Sequence, residues 1–168
     1  TVVGFDISPR DHHHGLDLRN REHLRAALRG CDGVIHLAAV SRVVTAEENP
    51  ALCEAVNIGG TRNICEEVAE LSPRPFVIFA SSREVYGHAD RLPVSESARL
   101  QPCNVYGRSK LAGEQLMSRL AGAGTNVLVL RFSNVYGSTG DHADRVIPAF
   151  ARRAAGGGRI TVNGTGCV

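Results

Sequence analysis

The feature that most constrains the fold is a regular alternation of short apolar runs with segments patterned like helices. The apolar runs over 33–38, 75–81 and 126–132 are predicted strands, each nearly free of polar residues. Between them, apolar residues recur at helical spacing over 50–71 and 105–120, with a glycine interruption in the first segment. Because strands that alternate with helices form parallel β–α–β units, the sequence predicts an α/β fold with a doubly wound parallel sheet and helices on both faces.

Weaker patterns flank these elements. Residues 1–7 resemble a buried strand that ends at an acid, and Asn20 is a good N-cap for a helix over 21–29. Near the other end, the sequence predicts a helix over 144–155 and a short strand over 159–163.

The pattern changes after Gly137, which predicts one domain over 1–137 and the start of a second lobe over 138–168. A doubly wound fold normally opens with a strand and a glycine-rich turn that binds pyrophosphate. Neither precedes the acid-ended strand, and the later glycine clusters come before strands, whereas such a turn follows one. We therefore expect a fragment of a longer protein, which on its own binds a dinucleotide weakly or not at all.

Composition favours a small-molecule partner. The net charge is +2 and the Lys and Arg residues are scattered, so no basic stripe indicates nucleic acid or an anionic membrane. No apolar run approaches the roughly 20 residues that cross a bilayer. The 5 cysteines form no Cys-x-x-Cys pair, which favours a reduced, cytoplasmic protein. The adjacent histidines 12–14 lack further suitably spaced ligands, so no metal site is predicted.

Tyr106 and Lys110 are candidate catalytic residues. They lie four positions apart on a predicted helix, so both side chains project from one face. A tyrosine with a pKa of about 10 is a poor base at neutral pH, and a nearby ammonium stabilises its phenolate. Ser81 and Ser82 end the preceding strand, where ligands bind in open parallel sheets, and such a hydroxyl can hydrogen-bond a substrate oxygen. Alternatively, both serines cap the turn that follows.

The motifs around these residues resemble those of a known family. Segment 81–87 reads Ser-Ser-Arg-Glu-Val-Tyr-Gly, and segment 102–110 runs from a proline to Tyr-Gly-Arg-Ser-Lys. Together they resemble the paired signature of the extended short-chain dehydrogenases/reductases, the NAD-dependent epimerase/dehydratase family. Further segments agree with that family in order: Asp6, Asp17-Leu18, His36–Ala39, Asn57–Thr61, Arg131–Gly137, Val146–Pro148 and Val162–Gly166.

The resemblance implies a Rossmann-like, NAD-dependent enzyme acting on nucleotide sugars. In it, Tyr106 would be the acid/base at the sugar hydroxyl, Ser82 its hydrogen-bonding partner, and Lys110 a further ligand of the nicotinamide ribose. Asn57 would brace the active-site helix, and Asn134 would reach the substrate diphosphate. Members often form homodimers through the helix bearing the tyrosine and the helix before it.

The resemblance also assigns binding residues. The cofactor-binding set is Asp6, Asp17, Leu18, Leu37, Ala38, Ala39, Asn57, Ser81, Tyr106, Lys110 and Phe132. The substrate-binding set is Ser82, Arg83, Asn134, Val146 and Ile147. Asp6 has a physical rationale as well, because a carboxylate ending the second strand accepts a hydrogen bond from the adenosine 2′-hydroxyl and repels a 2′-phosphate. This favours NAD, although Arg10 nearby could instead receive the phosphate of NADP.

Arg83 and Glu84 bear on the reaction. A 4-epimerase oxidises the sugar transiently and returns hydride to the opposite face, which needs only the catalytic trio. By resemblance, 4,6-dehydratases carry an Asp-Glu pair at these two positions, and an arginine cannot donate a proton to a leaving hydroxyl. Decarboxylase-like members carry a glutamate where Glu84 stands. We predict a nucleotide-sugar 4-epimerase with Glu84 as an additional catalytic candidate; a decarboxylase or dehydratase is the alternative. Less favoured are a silent NAD-sensing relative and a simple alcohol oxidoreductase.

Overall fold

A three-stranded parallel sheet is the centre of the protein. The computed structural model describes residues 1–8, 15–89, 91–138 and 142–162. The strands follow one another across the sheet in sequence order: β1 (Gly33–His36), β2 (Phe76–Ser82) and β3 (Val127–Phe132). Register pairs His36 with Phe79, and Ser81 with Arg131. The predicted α/β class with a parallel sheet is confirmed.

Helices connect and flank the strands. The α-helices are α1 (Arg21–Leu28), α2 (Val43–Glu48), α3 (Pro50–Cys53), α4 (Thr61–Glu70), α5 (Val105–Gly122) and α6 (Val146–Ala155). A π-helical segment, Glu54–Gly60, joins α3 to α4 where the sequence predicted an interruption, and a 3-10 turn, Arg83–Val85, follows β2. Asn20 caps α1 as predicted, since its side chain accepts from the amides of Glu22 and His23. The sequence did not predict α2.

The core lies between one face of the sheet and the helices. Val77 and Phe79 of β2 are buried against α4 and α5, within a cluster completed by Leu18, Leu24, Leu28, Ile64, Val68, Met117 and Leu120. Gly113 permits the close approach of α5, because a Cβ there would lie 2.6 Å from the ring of Phe79. The missing side chain thus lets the helix settle directly on the central strand.

The opposite face of this sheet is exposed in the described chain. Ile35 of β1 and Leu128 of β3 are 63% and 52% exposed, and Leu130 points the same way by the alternation of the strand. Both crossovers connect neighbouring strands in the same direction, so right-handedness places α4 and α5 on the same side. Helices therefore cover one face among the described residues.

Two strand predictions at the ends are wrong. Residues 1–6 and 159–162 carry no strand, and Val2 is 95% exposed. A strand requires a hydrogen-bonding neighbour, and β1 to β3 pair only with one another among the residues described. The predicted helix of the second segment is present as α6. The chain divides into two compact units, Thr1–Ser133 and Asn134–Val168. No helix of the described part is long and apolar enough to cross a membrane.

Candidate active site

The first turn of α5 lies against the turn that follows β2. Asn104 caps this helix, its Oδ1 accepting from the Gly107 amide at 2.7 Å. A Cβ on Gly107 would lie 2.6 Å from the carbonyl oxygen of Glu84, so only glycine allows this distance. The close approach brings Tyr106, in the same helical turn, to the carboxyl end of β2.

Lys110 is buried beneath Tyr106. Its Nζ donates to the carbonyl of Ala80 in β2 at 2.8 Å, and lies 5.1 Å from the ring centroid of Phe79 and 5.8 Å from that of Tyr106. Removal from water lowers the pKa of Lys110 to about 8. At pH 7 the amine is still mainly an ammonium, which favours the phenolate form of a neighbouring tyrosine.

Ser81 and Ser82 have different partners. The Oγ of Ser82 accepts from the Glu84 amide at 3.2 Å, so Ser82 caps the 3-10 turn, and its own O–H proton is left to donate. Ser81 is also buried, and its hydroxyl donates to Glu114 at 2.5 Å. The capping alternative is thus present at Ser82, and it is compatible with a hydrogen bond to a substrate oxygen. The hydroxyl proton of Ser81 is thus already used in the hydrogen bond to Glu114.

The carboxylate of Glu84 is held at the start of α5. Its Oε2 accepts from the side-chain amide of Asn104 at 2.7 Å, and its Oε1 lies 3.6 Å from Nε of the exposed Arg83. Asn104 therefore uses one end of its amide to cap α5 and the other to hold Glu84. This arrangement orients the carboxylate towards the helix terminus.

A partly buried ion pair that the sequence analysis missed lies one helical turn beyond Lys110, with Glu114 buried and Arg131 half-buried. Arg131 of β3 donates to both carboxylate oxygens of Glu114, at 2.9 and 2.8 Å. Its Nη1 donates to Oη of Tyr86 and to the backbone carbonyl of Glu96, at 2.8 and 2.9 Å. The pair raises the pKa of Arg131, chiefly through the hydrogen bonds to Glu114. The available signal was the spacing of Tyr106, Lys110 and Glu114, which places a carboxylate on the catalytic face of the helix.

Asn57 connects the π-helical segment to α5. Its buried amide donates to Oγ of Ser109 at 2.9 Å, and Ser109 in turn donates to the carbonyl of Tyr106 at 2.7 Å. Its Oδ1 accepts from the Val40 amide at 2.8 Å. The side chain therefore joins the loop after β1 to the helix turn that carries the tyrosine.

His36 ends β1 as a buried, neutral side chain. Its Nε2 lies 2.9 Å from Oγ1 of Thr61, and that hydroxyl gives its proton to the carbonyl of Asn57 at 2.6 Å. The hydroxyl oxygen can then only accept, so Nε2 of His36 carries the ring proton. Burial, followed by repulsion from Lys110, lowers the pKa of His36 to about 3.

The residues expected near the adenosine occupy varied positions. Asp6 is exposed, and its Oδ1 accepts from the Ser8 amide at 2.8 Å. A hydrogen bond from Arg19 lowers the pKa of the Asp17 carboxyl. Leu18 is buried in the core, and its role beside the cofactor stays a prediction. Arg10 and the histidines 12–14 lie outside the described residues.

Apolar side chains project at the carboxyl edge of the sheet. Leu37, directly after β1, is 65% exposed, and Phe132, the last residue of β3, is 43% exposed. Ala38 and Ala39, which follow Leu37 in sequence, are half-buried. In open parallel sheets this edge is where dinucleotides bind, so apolar residues exposed here suit a bound ring system.

The remaining candidates belong to the second compact unit. Asn134 is exposed, and Val146 and Ile147 are exposed at the start of α6. Of the segment 162–166, only Val162 is among the described residues. The structure places these residues within their own unit, and their role in binding the substrate stays a prediction.

The parallel sheet, with Tyr106 and Lys110 beside its carboxyl end, defines a Rossmann-like α/β domain. Residues 2–168 match the NAD dependent epimerase/dehydratase family, and the chain belongs to that family. UDP-glucuronate 4-epimerase 1 of Arabidopsis thaliana is 37% identical over 131 residues, which cover 77% of this chain and 30% of that protein. The inverting UDP-N-acetylglucosamine 4,6-dehydratase of Campylobacter jejuni is 31% identical over 147 residues, covering 85% and 38% of the two chains.

Among solved structures, the UDP-glucose 4-epimerase from Brucella ovis in complex with NAD superposes with a TM-score of 0.78 and 30% identity. That superposition covers 86% of this chain and 47% of the other. The chain therefore spans less than half the length of each of these three proteins.

Proposed function

We propose that the chain is the catalytic part of an NAD-dependent nucleotide-sugar 4-epimerase that acts through a transient keto-sugar. The observation that carries the proposal is the buried Lys110 ammonium, 5.8 Å from the ring of Tyr106 on one face of α5. An ammonium held out of water beside a tyrosine is the arrangement needed to make its phenolate available near neutral pH. The UDP-sugar 4-epimerases among the similar proteins support the assignment.

The described residues suit a dinucleotide at the carboxyl edge of the sheet. Leu37 and Phe132 offer exposed apolar contacts there, and Lys110 supplies a donor for the nicotinamide ribose. The exposed carboxylate of Asp6 would accept from the adenosine 2′-hydroxyl. Bound NAD would supply the hydride acceptor for the sugar carbon and return the hydride afterwards.

The protein side chains would manage the proton and the orientation of the sugar. Tyr106 takes the proton of the sugar hydroxyl during oxidation and gives it back after the sugar has turned. Ser82 donates its free O–H proton to the same sugar oxygen, while its Oγ stays fixed by the Glu84 amide. Lys110 stabilises the phenolate that is present before the first of these proton transfers and is formed again by the second.

The surroundings of Glu84 favour epimerisation over dehydration or decarboxylation. Its carboxylate accepts from Asn104 and is oriented towards the start of α5. Arg83, at the position beside it, stays protonated and cannot supply a proton to a leaving hydroxyl. A dehydratase is among the relatives, so dehydration is the second candidate and is distinguished by the products. A silent NAD sensor and a simple alcohol oxidoreductase are disfavoured by the intact trio and by the family.

In the test, the full-length protein is incubated with NAD and with UDP-glucose, UDP-glucuronate or UDP-N-acetylglucosamine. The sugar products are identified by NMR, and NADH is followed by its absorbance at 340 nm. We expect a 4-epimer from at least one sugar and no net NADH. Loss of water or of carbon dioxide would favour the second candidates, and steady NADH production would indicate an alcohol oxidoreductase. Tyr106→Phe should abolish turnover and leave NAD affinity largely unchanged; undiminished turnover would refute the role of Tyr106.

We also propose that the full-length protein is a cytoplasmic homodimer joined through α4 and α5, with residues from 138 onward opening the lobe that binds the nucleotide sugar. Free thiols at all described cysteines are compatible with a reducing compartment: Cys31, Cys53, Cys65 and Cys103. Nucleic acid and membrane partners are not proposed. Sedimentation equilibrium tests the dimer, and a monomer at micromolar concentration would contradict it.

A further inference from the structure

We propose that Arg131, paired with Glu114, is a positioning residue that fixes the turn containing Ser82 against the helix that carries Tyr106 and Lys110. This inference rests on the proposed function, because it concerns how the same site is held together. Neither Arg131 nor Glu114 was among the residues predicted to bind or react.

The first step is the face that α5 presents to β2. Tyr106, Lys110 and Glu114 are spaced four residues apart and therefore lie along one side of the helix. Lys110 donates to the carbonyl of Ala80, and Glu114 accepts from the hydroxyl of Ser81. Two consecutive residues of β2, directly before Ser82, are thus bound to the helix face that bears the tyrosine.

The second step concerns the contacts that Arg131 makes from β3. Arg131 is the register partner of Ser81 and binds Glu114 through both carboxylate oxygens. Its remaining nitrogen, Nη1, donates to Oη of Tyr86, which follows Ser82 in sequence. The guanidinium also lies 4.9 Å from the ring centroid of Tyr86. Ser82 consequently lies between two residues, Ser81 and Tyr86, that are held by the same ion pair.

The third step is the chemistry of the pair. An ion pair that is largely removed from water, as this partly buried pair is, adds little net stability, since the cost of desolvation offsets most of the attraction. A planar guanidinium nevertheless fixes several acceptors in one geometry, and here it binds Glu114, the hydroxyl of Tyr86 and the carbonyl of Glu96 together. A lysine keeps the charge but has no fork of donors in fixed directions. The arrangement is therefore suited to holding a geometry.

The test uses three variants of the full-length protein: Arg131→Lys, Tyr86→Phe and the double variant. A catalytic group displaced by about 1 Å can lose about 100-fold in rate, so we expect Arg131→Lys to lower kcat by about tenfold or more, with KM changed less than about twofold. Tyr86→Phe removes one acceptor and should cost less. The double variant should be no slower than Arg131→Lys, because both changes break the same contact. Arg119→Lys, at an exposed position of α5, is the matched control.

Amide hydrogen exchange over residues 82–87 provides a readout that does not require turnover. We expect faster exchange in this turn in Arg131→Lys while the melting temperature stays within a few degrees of wild type. Unchanged exchange together with unchanged kcat would overturn the inference. It would also be overturned if kcat fell together with a large drop in melting temperature and the effects of the two single variants were additive in the double variant. If the wild-type protein turned over no nucleotide sugar, the proposed function would fail, and exchange would still decide whether Arg131 holds the turn.

Discussion

Lowering the pH from 7 to 5 should destabilise the folded protein through His36. Burial and the nearby Lys110 lower the pKa of His36 from 6.5 to about 3. Between these values the unfolded chain binds a proton that the folded chain does not, so the free energy of unfolding decreases as the pH falls. Above pH 6.5 the imidazole is neutral in both states, so His36 does not lower the free energy of unfolding. As the pH falls from 6.5 towards 3, protonation of the unfolded chain progressively lowers that free energy. With these two pKa values, the loss between pH 7 and pH 5 is about 2 kcal/mol.

The assay is urea unfolding of the full-length protein at several pH values from 7 to 5, a range above the ordinary titration of carboxyl groups. His36→Gln retains a side-chain amide that can donate to Thr61 but cannot be protonated, and it should flatten the pH dependence by about 2 kcal/mol over this range. His88→Gln, at an exposed loop histidine, controls for the loss of an imidazole as such. NMR titration of the His36 ring gives a direct check. A midpoint near 6.5, or an unchanged slope in His36→Gln, would refute the reasoning.

Four further substitutions test the packing and electrostatics described above. Gly113→Ala should cost about 1–3 kcal/mol, because the new Cβ would lie 2.6 Å from the ring of Phe79, whereas Gly122→Ala in the same helix meets nothing within 4 Å and should stabilise by up to about 1 kcal/mol. Chemical denaturation measures both, and equal effects would contradict the packing. Asn20→Ala removes the acceptor for two amides of α1 and should cost about 1 kcal/mol in the same assay. Lys110→Met should raise the pKa of His36 in the NMR titration, because it removes the second cause of the depression; no change would show that burial acts alone.

Local patterns predicted the main elements well because their causes are local. The strands β1, β2 and β3 are runs of apolar residues, and the cap at Asn20 follows from the preference of an asparagine for that position. Elements that depend on distant partners were not predictable in this way. Residues 1–6 have the composition of a strand but no hydrogen-bonding neighbour among the described residues, and the pattern cannot report that.

The candidate site shows the same division. The spacing of Tyr106 and Lys110 indicated a shared face, and the structure gives the two side chains that relation. The spacing could not show that Lys110 donates to a carbonyl of β2, nor that the hydroxyl of Ser81 is bound to Glu114. Such contacts join residues about 30 positions apart in sequence, so they depend on how the helix settles on the sheet. Buried polar contacts of this kind have to be seen in three dimensions.

The uncovered face of the sheet has a practical consequence for handling these 168 residues. Side chains such as Ile35, Leu128 and Leu130 form a row of apolar surface on the side away from α4 and α5. A polypeptide displaying such a patch in water tends to self-associate, to bind amphipathic dyes and to require detergent or a fusion partner for solubility. When these residues are expressed in isolation, we therefore expect aggregates whose size increases with protein concentration. Light scattering would be the first measurement to make on them.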